Sequence, residues 1–197
     1  MKAGSGRRLA RKIDGVQQIE QRAEGIIEQV PSWIWDGESL PVPVEEIADT
    51  CYGLLVRDVA DLGTAPGCPE LEPGQTFSGL LLADRGEIWV NAEESRQWPP
   101  RRRFTIGHEL GHWVMHRSGD RSLFCRSTTV QPDEQPEQGA SAEIPDIEQE
   151  ASVFAAALLM PAHLIRREYE RDRDFNRLCE LFNCSGAAMG RRLHAVI

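Results

Sequence analysis

The chain has 197 residues, which suits one domain or one domain with a small appendage. Hydrophobic residues make up 41% and charged residues 27%, as in ordinary globular proteins, and the formal net charge of −9 argues against a dedicated nucleic-acid-binding protein. No apolar run is long enough to cross a bilayer, and no apolar core follows the basic N-terminus as in a secretory signal. Five cysteines without a CxxC pair predict reduced thiols, so we expect a cytoplasmic protein.

Residues 1–12 contain several basic side chains and no acidic one. We therefore expect residues 1–15 to form a flexible N-terminal arm. From Val16 to Val30 the apolar residues are spaced three and four apart, which predicts an amphipathic helix that ends at Pro31. We expect residues 16–197 to form a single domain.

The next part of the chain alternates between helix, strand and loop patterns. A helix is predicted over 44–53 and a short aliphatic strand over 54–59. The Pro- and Gly-rich segment 63–75 predicts a loop. Residues 77–84 and 87–94 are typical of the two strands of an antiparallel hairpin, joined by a tight turn.

The second half of the sequence is mainly helical. Helices are predicted over about 101–115 and 146–160, separated by a flexible loop around 118–145 that contains few apolar residues. The remaining residues, 161–197, are typical of two or three short helices. The predicted fold class is therefore α+β, with helices around a small antiparallel sheet and a helical C-terminal segment.

The segment FTIGHELGHWVMH, residues 104–116, contains the HExxH pattern. Because a helix advances about 100° per residue, His108 and His112 project from nearly the same face, about one turn apart. Two imidazoles at this spacing can converge on one zinc ion, and Glu109 can act as the general base toward a water in its open position. HExxH alone also occurs by chance on polar surface helices. Here the apolar flanks favour a buried helix, in which these polar groups need partners.

Two histidines leave the usual catalytic zinc site one ligand short. His116 lies about 12 Å along a straight helix from His108, too far to share an ion, so we interpret it as a helix-end residue or one that supports a ligand. Glu150 shares a face with core residues of the next helix, and we predict it as the third ligand. The alternative for Glu150 is a carboxylate stabilised by the helix macrodipole. Glu148 points about 200° away and is expected to be solvated.

The two segments FTIGHELGHWVMH and EQEASVFAAALLMP together resemble the ImmA/IrrE family of metallopeptidases, over about residues 41–193. The resemblance implies a compact gluzincin-like fold. It implies zinc as cofactor, held by His108, His112 and Glu150, with Glu109 as the catalytic glutamate. Characterised members cleave a helix-turn-helix repressor, so the resemblance implies such a protein substrate, in a mobile-element, stress or toxin–antitoxin context.

Two features of the chain bear on this resemblance. Ser152 stands where family members often have asparagine, which is a small polar replacement that leaves the metal site intact. In the predicted hairpin, an exposed edge near IWVN would let a substrate bind as an added strand. The alternative is that IWVN is a paired strand of the core.

Two other functions compete with a peptidase. The C-terminal segment LCELFNCSGAAMGRRL has a helix–turn–helix pattern, which would suit a DNA-binding regulator, although the net charge disfavours this. A non-catalytic zinc-binding sensor is the other alternative. Glu109 argues against the sensor, because a purely structural zinc site does not require a carboxylate beside the open position.

Overall fold

The computed structural model describes residues 4–65, 68, 75–116, 123–128 and 146–197. The described part of the chain is α+β, as predicted. Its helices are α1 (Gly4–Gln29), α2 (Val44–Glu46, continued by a π-helical turn over Ile47–Cys51), α3 (Ala92–Gln97), α4 (Pro99–Met115), α5 (Asp146–Leu159), α6 (Ala162–Arg171), α7 (Phe175–Phe182) and α8 (Gly186–Val196). Its strands are β1 (Leu55–Val59), β2 (Gln75–Leu82), β3 (Glu87–Asn91) and β4 (Leu123–Thr128).

The four strands form one sheet in the order β1-β3-β2-β4. The predicted hairpin is present as β2 and β3, which pair antiparallel. However, β1 pairs parallel with β3, so the sheet is mixed and not wholly antiparallel. The segment IWVN lies in β3, which is hydrogen-bonded on both sides. The expectation of an exposed edge there is therefore wrong, and the alternative of a paired strand is correct.

Strand β4 falls inside the range 118–145, where a loop was predicted. It pairs antiparallel with β2, with an irregular register between Phe77 and Gly79. A short, mixed segment such as LFCRST takes strand structure because a neighbouring strand offers unpaired backbone groups, and its own pattern does not reveal this. The other residues predicted as loop, 118–122 and 129–145, lie outside the described residues.

Helix α1 begins at Gly4, well before the predicted start at Val16, so most of the expected arm has helical backbone. Leu9 and Ile13 continue the spacing of three and four residues that runs on to Val16, which explains why the helix extends in this direction. Residues 1–3 lie outside the described residues. Within the described residues, no helix is long and apolar enough to cross a membrane.

Helices α4 and α5 pack closely because small residues face each other. A Cβ atom added at Gly107 would lie 3.4 Å from the Cβ of Ala155, and one at Gly111 would lie 3.3 Å from the Cα of Ala151. The buried side chains of Ala151, Phe154 and Leu158 on α5 belong to the core around this contact. The close approach brings polar residues of the two helices together at one end of the interface.

We expect Gly111→Ala to lower the free energy of unfolding by about 1–3 kcal/mol, as overpacking does elsewhere. The added Cβ would lie 3.0 Å from Cδ1 of Phe154 and 3.3 Å from backbone atoms of Ala151, which cannot easily move. Gly107→Ala is the matched control, because its Cβ would meet Ala155 at an ordinary contact distance and the helix would gain propensity. Urea unfolding of both variants checks this, and equal stability of the two would contradict the packing argument.

Candidate metal centre

The HExxH segment occupies the buried half of α4. Every residue from Thr105 to His112 is buried, between β2 on one side and α5 on the other. His108 is 3% exposed, and Glu109 and His112 are fully buried. The helix ends just after the motif, where the backbone N–H of His116 donates to the carbonyl of His112 at 2.9 Å. His116 is thus the helix-end residue that its position predicted.

The rings of His108 and His112 meet a carboxylate of α5. Their Nε2 atoms lie 3.0 Å apart. The Glu148 carboxylate lies 3.1 Å from Nε2 of His108 and 3.3 Å from Nε2 of His112. Among the described residues, these three side chains form the group that could hold a metal ion.

The dimensions of this group suit a tetrahedral ion. Ligands at roughly 2.0–2.1 Å from a zinc ion in a tetrahedron are separated from one another by about 3.3–3.4 Å. The two Nε2 atoms lie 3.0 Å apart, and Glu148 approaches them with different oxygens, Oε2 at 3.1 Å from His108 and Oε1 at 3.3 Å from His112, so a small outward movement of the side chains accommodates the ion. Two imidazole nitrogens and one carboxylate oxygen are also the donor types of catalytic zinc sites, in which the fourth position stays open.

The structure does not bring Glu150 to this group, in contrast to the sequence-based expectation. Its carboxylate instead lies 2.8 Å from Nε2 of His116. The reason is the rotation of α5 about its axis: the face that packs against α4 contains Ala151 and Ala155, which contact the glycines of α4. Glu148 precedes these residues by three and seven positions, so it lies on their face. The expectation that Glu148 is solvated is therefore wrong, and its side chain is only 24% exposed.

Both histidine rings are also held on their far side. Oγ of Ser152 lies 3.2 Å from Nδ1 of His108. Nδ1 of His116 lies 3.3 Å from Nδ1 of His112. In each ring the Nδ1 atom has a polar partner while the Nε2 atom faces the group, which is the arrangement that orients imidazoles for a metal.

The protonation of the two carboxyl groups differs because their surroundings differ. Burial raises the pKa of Glu148, but its hydrogen bonds with His108 and His112 outweigh this effect and hold the pKa at about 2. Burial raises the pKa of Glu109 well above its usual value, and the negative charge of Glu148 raises that pKa further. Glu148 is thus an anion at neutral pH, whereas Glu109 readily accepts a proton.

The carboxyl group of Glu109 is fully buried. Within the described part of the chain, neither of its carboxylate oxygens has a partner. Burying an unpaired polar group costs free energy, so its retention points to a role beyond packing. It lies against β2, where a Cβ atom added at Gly79 would be 3.3 Å from Oε1 of Glu109.

Gly79 leaves no room for a side chain, so we expect Gly79→Ala to destabilise the protein by about 1–3 kcal/mol. The added Cβ would lie 2.2 Å from Cγ2 of Thr105, which real structures do not allow. Thr105→Ser removes that methyl group, so the double variant should recover part of the lost stability. Thermal unfolding of the two single variants and the double variant measures the coupling. Strict additivity of the two effects would rule out this contact as the cause.

The comparison with protein families agrees with this site. A family model described as the IrrE N-terminal-like domain (Peptidase_M78) matches residues 71–194, which is more than half of the chain. The chain belongs to this family. A search of curated proteins returned no match. Membership of Peptidase_M78 supports a metallopeptidase-type function with a protein substrate, and the matched range includes both α4 and α5.

The range matched by the Peptidase_M78 model contains all four of these side chains. His108, Glu109 and His112 lie together on α4, as the helix spacing predicts, whereas Glu148, which was expected to be solvated, lies where Glu150 was expected. A usable signal was present in the sequence. Gly107 and Gly111 predict a close helix contact, and the small residues that can face them on the next helix define the side on which Glu148 lies.

Proposed function

We propose that this protein is a zinc-dependent endopeptidase in which His108, His112 and Glu148 hold the metal. The observation that supports this most directly is the convergence of two Nε2 atoms and one carboxylate within 3.0–3.3 Å of one another. The match to the Peptidase_M78 family supports the same conclusion. Glu148 replaces Glu150 in this proposal because Glu150 lies beside His116.

The chemistry follows from the positions of these side chains. A bound zinc ion supplies Lewis acidity and lowers the pKa of a water molecule. Glu109 takes the proton of the attacking water on a carboxylate oxygen and delivers it to the leaving amine nitrogen. Its raised pKa suits this exchange, because a carboxylate with a higher pKa is a stronger base toward the attacking water. The buried surroundings of Glu109 also keep bulk water away from the proton transfer.

We propose that the substrate is a helix-turn-helix transcriptional repressor in the cytoplasm, and that cleavage relieves repression in a mobile-element, stress or toxin–antitoxin context. The support is the resemblance of the two helical motifs to the ImmA/IrrE family, together with the match to its domain model. The net charge of −9 disfavours a protein that acts directly on DNA.

The test combines metal analysis with a cleavage assay. The purified protein should retain zinc after dialysis, and it should cleave a helix-turn-helix repressor where one is encoded beside its own gene. A chelator should abolish cleavage, and added zinc should restore it. Zinc retention without cleavage of that repressor would exclude the proposed substrate, and failure to bind zinc under every loading condition would exclude the peptidase.

The DNA-binding alternative finds little support in the C-terminal helices. Helices α7 and α8 do form a helix–turn–helix, with Asn183 in the left-handed conformation at the turn. However, Met189 and Arg192 of α8 are buried. The guanidinium of Arg192 donates to the carbonyl of Met160 at 2.8 Å and pairs with Glu20, so it is not available for phosphate. Salt-sensitive binding of the purified protein to DNA would favour the DNA-binding alternative over the peptidase.

A further inference from the structure

We propose that Glu150 and His116 are positioning residues that prepare His112 for the metal through a chain of hydrogen bonds. This inference rests on the proposed zinc site, but it concerns residues that are not in the metal-holding group. The chain runs from the carboxylate of Glu150 to Nε2 of His116 over 2.8 Å. It continues from Nδ1 of His116 to Nδ1 of His112 over 3.3 Å, and Nε2 of His112 then faces Glu148 and His108.

The direction of this chain follows from what each group can donate. An ionised carboxylate only accepts hydrogen bonds, so Nε2 of His116 must carry the hydrogen that it donates to Glu150. A neutral His116 then has its lone pair on Nδ1, where it accepts. This arrangement favours the tautomer of His112 with the hydrogen on Nδ1 and the lone pair on Nε2. That is the tautomer a metal ligand needs.

The chain matters because a neighbouring group favours the opposite tautomer. Before a metal binds, the Glu148 carboxylate, 3.3 Å from Nε2 of His112, attracts a proton to that atom. A proton on Nε2 has to leave before the atom can bind a cation. By favouring the hydrogen on Nδ1 of His112, Glu150 and His116 lower the free-energy cost of removing a proton from Nε2 of His112.

His108 has a weaker version of this support. Its Nδ1 atom lies 3.2 Å from Oγ of Ser152, but a hydroxyl group both donates and accepts, so it does not impose a tautomer. Of these two sets of contacts, the hydrogen-bond chain to His112 is the one that begins at a carboxylate, which can only accept hydrogen bonds. The Glu150 side chain is 46% exposed and that of His116 is 12% exposed, so the pair lies at the rim of the buried site.

The primary test measures the zinc affinity of the full chain by competition with a chromophoric chelator. Glu150→Ala and His116→Phe should each weaken zinc binding by about 10–100-fold, which is the range typical of partners that orient metal ligands. Glu150→Gln should fall between wild type and Glu150→Ala, because its amide can still accept from His116 but can also donate, so it no longer imposes the tautomer. Glu170→Ala, on the exposed side of α6, is the matched control and should bind zinc as wild type does.

A second readout follows the ring nitrogens directly by long-range ¹H–¹⁵N NMR. In wild type, His116 should carry its hydrogen on Nε2, and in Glu150→Ala it should populate both tautomers. Zinc affinity within twofold of wild type in both Glu150→Ala and His116→Phe, or a His116 hydrogen on Nδ1, would overturn the inference. If wild type binds zinc but cleaves nothing, the peptidase proposal fails. The zinc affinities of Glu150→Ala and His116→Phe then still test the role of Glu150 and His116. If wild type binds no zinc, both proposals fail, because His112 then has no metal to bind.

Discussion

Glu109→Gln should lower the rate of peptide cleavage by about 10²–10⁴-fold, the range that general acid–base groups contribute, while zinc binding stays as in wild type. The amide has nearly the size of the carboxyl group but cannot accept the proton of the attacking water. Glu109 is not one of the three residues that converge on the candidate metal position, so its neutralisation leaves that group complete. Single-turnover cleavage and chelator competition on the same preparation measure the two quantities.

The same variant has a second expected effect, on stability. Glu109 is fully buried, and neither carboxylate oxygen has a hydrogen-bond partner within the residues that the structure describes. Because burial raises the pKa of Glu109, ionisation of this carboxyl group costs stability as the pH rises above its usual pKa, so the stability of metal-free Glu109→Gln relative to wild type should increase with pH in thermal unfolding. Glu170→Gln, an exposed carboxylate on α6, controls for the loss of a negative charge elsewhere. Unimpaired cleavage by Glu109→Gln with zinc bound would remove Glu109 from the mechanism.

The local part of the site could be predicted from the sequence because it depends only on helix geometry. His108 and His112 are four residues apart on one helix, so their convergence follows from about 100° per residue wherever the helix lies. The apolar flanks predicted burial, and the structure buries both side chains. The hairpin of β2 and β3 follows in the same way, from alternation of side chains around a short turn.

The parts that could not be predicted depend on contacts between distant segments. The identity of the side chain that joins His108 and His112 depends on the rotation of α5 about its axis relative to α4. Glu148 and Glu150 are separated by about 200° around this axis, so a different rotation would place Glu150 beside the histidines. The parallel pairing of β1 with β3 depends on how the chain connects the two strands in space. The sequence patterns of the strands do not reveal this connection. Strand β4 depends on the free side of β2, since its own composition does not distinguish it from a loop.

Glu148→Ala should weaken zinc binding far more than Glu150→Ala does. Glu148 contributes the only carboxylate among the three converging side chains of the described residues, so its removal leaves two imidazoles. Glu150 acts through His116, and removal of such a supporting partner costs only about 10–100-fold. Zinc affinities of the two variants, measured side by side with the same chelator, give the order directly.

This pair of variants separates two arrangements of α5 that place either acid beside the histidines. The substitutions are chemically identical, lie two residues apart on the same helix and remove the same charge, so a difference between them reports position alone. The small residues Ala151 and Ala155 already restrict the rotation of α5, because a larger side chain facing Gly107 or Gly111 would force the helices apart. A greater loss in Glu150→Ala than in Glu148→Ala would mean that α5 is rotated in solution relative to this packing. It would also remove both the metal site and the hydrogen-bond chain to His112 proposed above.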